Sequence, residues 1–350
     1  MAKKILFFGE LPPNIVHGIS VSNQLNIDLL AEYFNVDIIE EKSDLQEHMK
    51  RNGAKLKNVF LYATKLMTLN KLNLYDYFYT VFSLSTFGCL KTLLNILSFR
   101  LSGKGKVILH IHRGDFKVFY QAHFINRLVT KLIFHCTYKL IVLSQNQSNE
   151  FQEFFHRGKI FVLENSLNQE YSLKEKKIGK KSFLYISNYI KEKGVFELFD
   201  VFQNQHERQL ECFGSFVNNN EKKIRSYQSD FITINGFING EEKYKKIYEA
   251  DCLILPSWNE GQPMVILEAM MLGTIIITTN VGLIVEMLGE DYPFYCEPHN
   301  REDLEKCIQK FIDYTDKETL SENIRKRYQN NFSKAIHKQK LLKIFGEDVQ

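Results

Sequence analysis

The stretch Cys252-Leu253-Ile254-Leu255-Pro256-Ser257-Trp258-Asn259-Glu260-Gly261-Gln262-Pro263-Met264-Val265-Ile266-Leu267-Glu268-Ala269-Met270-Met271-Leu272-Gly273 reads as one strand–loop–helix unit. Four consecutive apolar residues, Cys252 to Leu255, suit a strand buried on both faces, as in a parallel sheet. Pro256 to Gln262 forms the loop. Pro263 suits the first helical position and Gly273 the residue just past the end. The helix is apolar on every side yet carries Glu268, and Glu260 lies in the loop before it. A buried carboxylate without a partner is costly. Its partner is a salt bridge, to the other domain or to a neighbouring lysine, or a diol. The diol is preferred because two adjacent hydroxyls can donate a pair of hydrogen bonds to one carboxylate.

The same alternation runs along the chain. Lys4–Gly9, Asn35–Glu40, Tyr77–Leu84, Val107–His112, Lys139–Ser144 and Ile160–Leu163 read as strands. A helix spans Ser20 to Tyr33, and another follows Leu84 through Leu97. Asn165–Lys180 is polar and lysine-rich, as expected of a linker. Beyond it, Ser182–Ser187, Gln209–Phe213, Phe231–Ile234, Asp251–Leu255 and Thr274–Thr278 read as strands. Val195–Phe202, Lys243–Glu249 and Met264–Leu272 read as helices, and the tail from about Leu320 is helical. The expected fold is α/β, with two Rossmann-like doubly wound domains facing each other across a cleft. The domains are 1–168 and 169–325, and a C-terminal helix in 326–350 packs back across them. Open α/β sheets bind ligands at the carboxyl ends of their strands.

Composition agrees with a globular protein of two domains, with 350 residues, 44% hydrophobic and 25% charged. The net charge of +4 is unevenly spread, with 15 basic residues against two acids from Lys50 to Lys139. That block reads either as a solvated face or as a region drawn to anionic lipid headgroups or a phosphate-bearing substrate. Its aromatic residues (Phe78, Tyr79, Phe82, Phe87, Phe99, Phe116, Phe119, Tyr120) extend the lipid reading. No nucleic-acid-binding motif is present. Six cysteines without CxxC spacing fit a reduced cytosolic protein rather than a disulfide framework or a zinc site. The opening MAKKILFFGELPP lacks the apolar length and cleavage site of a signal peptide. Phe78 to Phe99 carries only Lys91 as a charge, but it divides into strand then helix rather than a membrane span.

Four loops after strands carry the chemistry. Gly9 to Ser20 includes His17-Gly18, where a helix beginning near Ser20 could aim free N–H groups at an anion, or where Ser20 simply caps the helix. His112 ends the VILHIH strand on the same face as His110, as a structural or a functional residue. No further ligand cluster makes the pair a metal site. Asn188 to Gly194 brings Lys191 and Lys193 to a strand-to-helix loop, where they could meet a phosphate or only solvent. The fourth loop holds Glu260.

Together these residues resemble a known family. Glu260 and Glu268 form an E-G-x-P-x-x-x-x-E run between a strand ending Pro-Ser and an Ala-Met-x-x-Gly helix end. This resembles the E-x7-E signature of retaining glycosyltransferases of the GT-B fold, family four, of the polysaccharide-assembly type. Glu10-Leu-Pro-Pro…His17-Gly18, Glu192-Lys193-Gly194 and Asn280-Val281-Gly282…Glu286 resemble further motifs of that family in the same order. Asn188 stands where most members have arginine, Leu283 replaces the second glycine of N-x-G-G, and Gly18 is followed by Ile19.

The resemblance implies roles. Glu268 holds the ribose hydroxyls, and Glu260 contacts the donor sugar near C3 and C4. Gly261, Gln262 and Pro263 lie against sugar and diphosphate, and Lys193, beside Asn188, neutralises the leaving group. Gly18 lets its loop approach the reaction centre, His112 faces the anomeric region, and the base rests on Gly236, Phe237 and Ile238. The implied catalytic set is Glu260, His112 and Lys193. The implied reaction is metal-free hexosyl transfer, without a cofactor, from a UDP- or GDP-sugar to a glycan or lipid-linked glycan. It would take place in the cytoplasm, peripheral to the inner face of the cell membrane. No D-x-D metal motif occurs. The alternatives are a nucleotide-sugar epimerase or hydrolase of the same fold, or a catalytically silent nucleotide-sugar-binding subunit.

Overall fold

Each half of the chain folds around a six-stranded, wholly parallel sheet. The structure, a computed structural model, describes residues 3–15, 17–41, 72–102, 104–171, 179, 182–203, 208–217 and 219–346. Two units result, Met1–Ser166 with Ala335–Gln350 and Leu167–Lys334. The sequence placed the junctions at 168/169 and 325/326. Half of the expected linker and residues 50–71 of the basic block lie outside the described residues.

The first sheet has the order β2-β1-β3-β4-β5-β6. Its strands are β1 (Lys4–Gly9), β2 (Asn35–Glu40), β3 (Tyr77–Val81), β4 (Lys106–His110), β5 (Lys139–Val142) and β6 (Ile160–Val162). Alternate residues of β1 serve different cores. Leu6 and Phe8 pack with Phe78, Phe99, Val107 and Ile133, whereas Ile5 and Phe7 pack with Leu29, Tyr79 and Ile108. Helices therefore cover both faces: α1 (Gly18–Ala31), α2 (Thr86–Ser102), α3 (Phe116–Ala122), α4 (Phe124–Cys136) and α5 (Gln145–Phe151). The segment Phe78 to Phe99 is divided between β3 and α2. No described helix is long and apolar enough to cross a membrane. Phe78, Tyr79, Phe82, Phe99, Phe116 and Phe119 are core residues, which corrects the expectation that they present an aromatic lipid-facing surface.

The second sheet runs β12-β11-β10-β7-β8-β9. Its strands are β7 (Ser182–Ile186), β8 (Gln209–Phe213), β9 (Ile232–Asn235), β10 (Cys252–Leu255), β11 (Ile275–Thr279) and β12 (Tyr295–Cys296). The order reverses between β7 and β10, and open parallel sheets bind ligands at such a switch point. The helices are α6 (Val195–Phe202), α7 (Glu221–Arg225), α8 (Gly240–Glu249), α9 (Met264–Leu272), α10 (Ile284–Leu288), α11 (Arg301–Asp313) and α12 (Lys317–Asn331).

Three expectations are corrected. Pro263 precedes α9 in extended backbone, with ψ 125°, and is not its first helical residue. At α1 the cap is His17, not Ser20: the His17 ring accepts from Ser20 N–H, and Ser20 Oγ accepts in return from His17 N–H. The tail is also two elements rather than one. Residues 326–331 finish α12 in the second unit, and α13 (Lys334–Phe345) packs Leu341, Leu342, Ile344 and Phe345 into the first unit's core. The Tyr77 hydroxyl donates to the Phe345 carbonyl at 2.9 Å.

Candidate functional site

In the second unit, four loops at the carboxyl ends of strands carry the implied residues: Ser187–Gly194 after β7, Gly236–Asn239 after β9, Pro256–Pro263 after β10 and Asn280–Leu283 after β11. Three of them close around Glu260. Its Oε1 accepts from Lys193 Nζ at 2.7 Å and from Ser257 Oγ at 2.7 Å. Both donors converge on one oxygen of a carboxylate that is 9% exposed. Ser257 is itself fixed, its carbonyl accepting from Thr279 Oγ1 at 2.6 Å.

Glycines make this closure possible. Gly194 has φ +67°, and a Cβ there would lie 2.0 Å from the Pro256 carbonyl oxygen. Gly282 has φ +59°, and its Cβ would lie 1.8 Å from the Glu260 carbonyl oxygen. Any side chain at either position would force the loops apart and so move Glu260. The Trp258 N–H donates to the Glu192 carbonyl at 2.9 Å, tying the loops after β7 and β10 together. The indole stacks on His299 with ring centroids 3.9 Å apart and receives Lys191 over its face.

Glu268 lies in α9 and is almost wholly buried. Lys243 of α8 approaches both of its oxygens, at 2.7 Å to Oε1 and 2.6 Å to Oε2, and only the Oε1 contact has hydrogen-bond geometry. Burial pushes the Glu268 carboxyl up, and Lys243 opposes that shift. The lysine partner is therefore the one present in this structure. Nearby, Tyr244 stacks on Tyr171 at 4.8 Å, and burial together with the Glu268 charge raises its hydroxyl pKa.

Of the other implied residues, Gly261 and Pro263 are half-buried and Gln262 is buried. Phe237 is 57% exposed beside a buried Ile238, a suitable surface for a planar ring to rest on. Asn188 is exposed, and its carbonyl accepts from the Tyr185 hydroxyl. No hydrogen bond joins Asn188, Phe237 or Ile238 to either carboxylate among the described residues. Ser257 and Lys243 are the contributors the sequence did not single out. Ser257 stood in the quoted run without a role, and Lys243 is one of three lysines in EEKYKK with nothing local to distinguish it.

In the first unit, Gly18 is the exposed first residue of α1, and the His17 ring meets Glu10 at 2.8 Å. His112 follows β4 and is buried, with neither ring nitrogen in a well-formed hydrogen bond. Its ring lies 3.8 Å from that of His110. Burial holds the His112 pKa down at about 3, with His17 and His337 adding repulsion and Asn165 opposing it. Behind it runs a buried polar chain. His110 Nδ1 meets the Tyr79 hydroxyl at 2.8 Å, Asn26 Nδ2 donates to that hydroxyl at 2.9 Å, and Asn26 Oδ1 lies 2.6 Å from His337 Nε2 on α13. His337 Nδ1 faces the Glu164 carbonyl at 2.7 Å. Among the described residues, no group of three or more His, Cys, Asp or Glu could hold a metal ion.

Residues 168–330 match the family model of the glycosyl transferases group 1. The group 1 match thus covers nearly all of the second unit, including every loop around Glu260. The chain is 28% identical over 210 residues to the capsular polysaccharide biosynthesis glycosyltransferase CapM of Staphylococcus aureus, covering 57% of this chain and 53% of that one. It spans 32% to 53% of the lengths of the curated relatives it matches. Among solved structures, sucrose-phosphate synthase of Thermosynechococcus elongatus superposes with a TM-score of 0.77 at 16% identity, covering 98% of each chain. Anabaena HepE in complex with UDP-glucose superposes at 0.73 and 15%, covering 98% and 99%. These structures share the fold, the paired α/β units of GT-B glycosyltransferases. The family model and the curated relatives support the group 1 glycosyltransferase family.

Proposed function

We propose that this protein is a retaining, metal-independent glycosyltransferase, needing no cofactor, that moves a hexose from a UDP- or GDP-linked sugar to a glycan or lipid-linked glycan. The reaction serves cell-surface polysaccharide synthesis on the cytoplasmic side of the membrane. The observation that carries this reading is the Lys193–Glu260–Ser257 cluster at the switch point of the second sheet. A nearly buried ion pair adds little net stability, but it keeps a cation and a carboxylate ready for a ligand bearing both phosphate and hydroxyls. The similarity to CapM points to polysaccharide assembly.

In this reading Lys193 turns toward the diphosphate and neutralises its charge as it departs. Glu260 then accepts from hydroxyls of the sugar near C3 and C4. Glu268, whose carboxyl burial pushes up while Lys243 opposes the shift, accepts from the ribose diol. Gly261, Gln262 and Pro263 line the sugar and diphosphate, with Asn188 beside them, and Phe237 and Ile238 support the base. The catalytic set includes His112 as the group toward the anomeric carbon, and Gly18 lets the α1 loop approach. The bond from C1 to the phosphate oxygen breaks while C1 bonds the acceptor oxygen on the same face. The acceptor proton passes to the departing phosphate oxygen, so no protein base is needed.

Glu260→Ala is expected to lower kcat by about 10²–10³-fold while nucleotide affinity stays within a few-fold. Glu268→Ala should instead weaken nucleotide binding by about 10–100-fold. Steady-state kinetics and calorimetric titration measure both, and equal small effects would overturn the assignments. Nucleotide release that depends on added acceptor separates a transferase from a hydrolase or a silent subunit. A thermal-shift panel of UDP- and GDP-sugars identifies the donor.

A further inference from the structure

Helix α4 is apolar on its outer side as well as on the side it buries. Asn126, Val129, Thr130, Ile133 and Phe134 face the first unit's core. On the outside, where polar residues belong, stand Phe124 (74% exposed), Ile125, Leu128 and Leu132. At about 100° per residue these four fall within one ~100° arc of the helix. Arg127 and Lys131, both exposed, border that arc on one side. No acidic residue occurs from Phe116 to Asn149, so nothing neutralises the bordering cations within that stretch. Scattered exposed apolar residues need no account, but a contiguous stripe does.

We propose that the outer face of α4 is a membrane-docking surface for anionic phospholipid. The stripe enters the headgroup–acyl boundary, and Arg127 and Lys131 meet phosphate. A bilayer matches both features at once, offering apolar depth beside fixed negative charge. A protein partner would need an apolar groove rimmed by acids. The docking rests on the surface of the first unit alone and does not depend on the transferase reading.

The test is co-sedimentation of the full chain with phosphatidylcholine vesicles and with vesicles containing phosphatidylglycerol, at low and high salt. Binding is expected only to the anionic vesicles and should weaken as salt rises. Arg127→Gln with Lys131→Gln should lower it by about 30-fold. Phe124→Ser with Leu128→Ser should lower it by at least about tenfold. All four side chains project outward, so the melting temperature should be unchanged, and transfer to a soluble acceptor should be retained. Absence of binding to anionic vesicles overturns the proposal, as does binding that persists in the Phe124→Ser/Leu128→Ser variant. Light scattering that shows a dimer dissociated by Phe124→Ser/Leu128→Ser would make a second copy the occupant and overturn it as well.

Discussion

His110, His112 and His337 are all held neutral by burial, His337 at about 4 and His112 at about 3. A neutral ring donates from only one nitrogen. Neutral His337 therefore donates from Nδ1 to the Glu164 carbonyl at 2.7 Å. The linkage has a definite sign. The unfolded chain takes up these protons near pH 6.5 and the folded unit does not, so stability is full above that pH and falls as pH drops toward 4. Going from pH 7 to pH 5 should cost about 2 kcal/mol for each such histidine. Denaturant melts across that range check it, and His337→Gln should flatten the slope. At this scale the sequence was legible where a charge was out of place. Glu268 inside an apolar helix announced a partner, but Lys243, one helix earlier, could be found only by packing α8 beside α9. The His337 chain was invisible because its members are scattered from Asn26 to α13.

Among the elements, the loops around Glu260 depend on backbone approach rather than on side chains. Gly282→Ala must place a Cβ against the Glu260 carbonyl in a left-handed conformation. We expect a loss of about 2–4 kcal/mol of stability in the second unit and a fall in transfer rate exceeding that of Asn280→Ala, measured by calorimetry and kinetics. The strands β1, β2 and β8 and the helices α6 and α9 coincide with the residues expected from their apolar runs. The run of β1 is continuous because both faces of its sheet are covered there, which makes it easy to read. The two-residue β12 and the five-residue α7 and α10 are too short to show a period. The cap of α1 was missed because histidine, not serine, accepts the hydrogen bond there.

For the molecule as a whole, two units with separate cores predict two calorimetric transitions. A nucleotide sugar held by the loops around Glu260 should raise chiefly that of the second unit. Truncation after Lys334 removes Leu341, Leu342, Ile344 and Phe345 from the first core. At about 2 kcal/mol for each buried side chain, the loss reaches the total stability of a domain. The first transition should vanish and the second persist, and a truncated chain with both transitions intact would refute this. The alternation of strands and helices made both sheets legible, but nothing in the tail's composition said which unit its last helix would join. That return has a consequence for biosynthesis. Domains ordinarily mature in the order in which they leave the ribosome. Here the first unit to emerge is the last to be finished, because α13 is translated only after the whole second unit. Until then the sheet face that bears Tyr77 and Tyr79, with Phe34 beside it, stands open on the nascent chain.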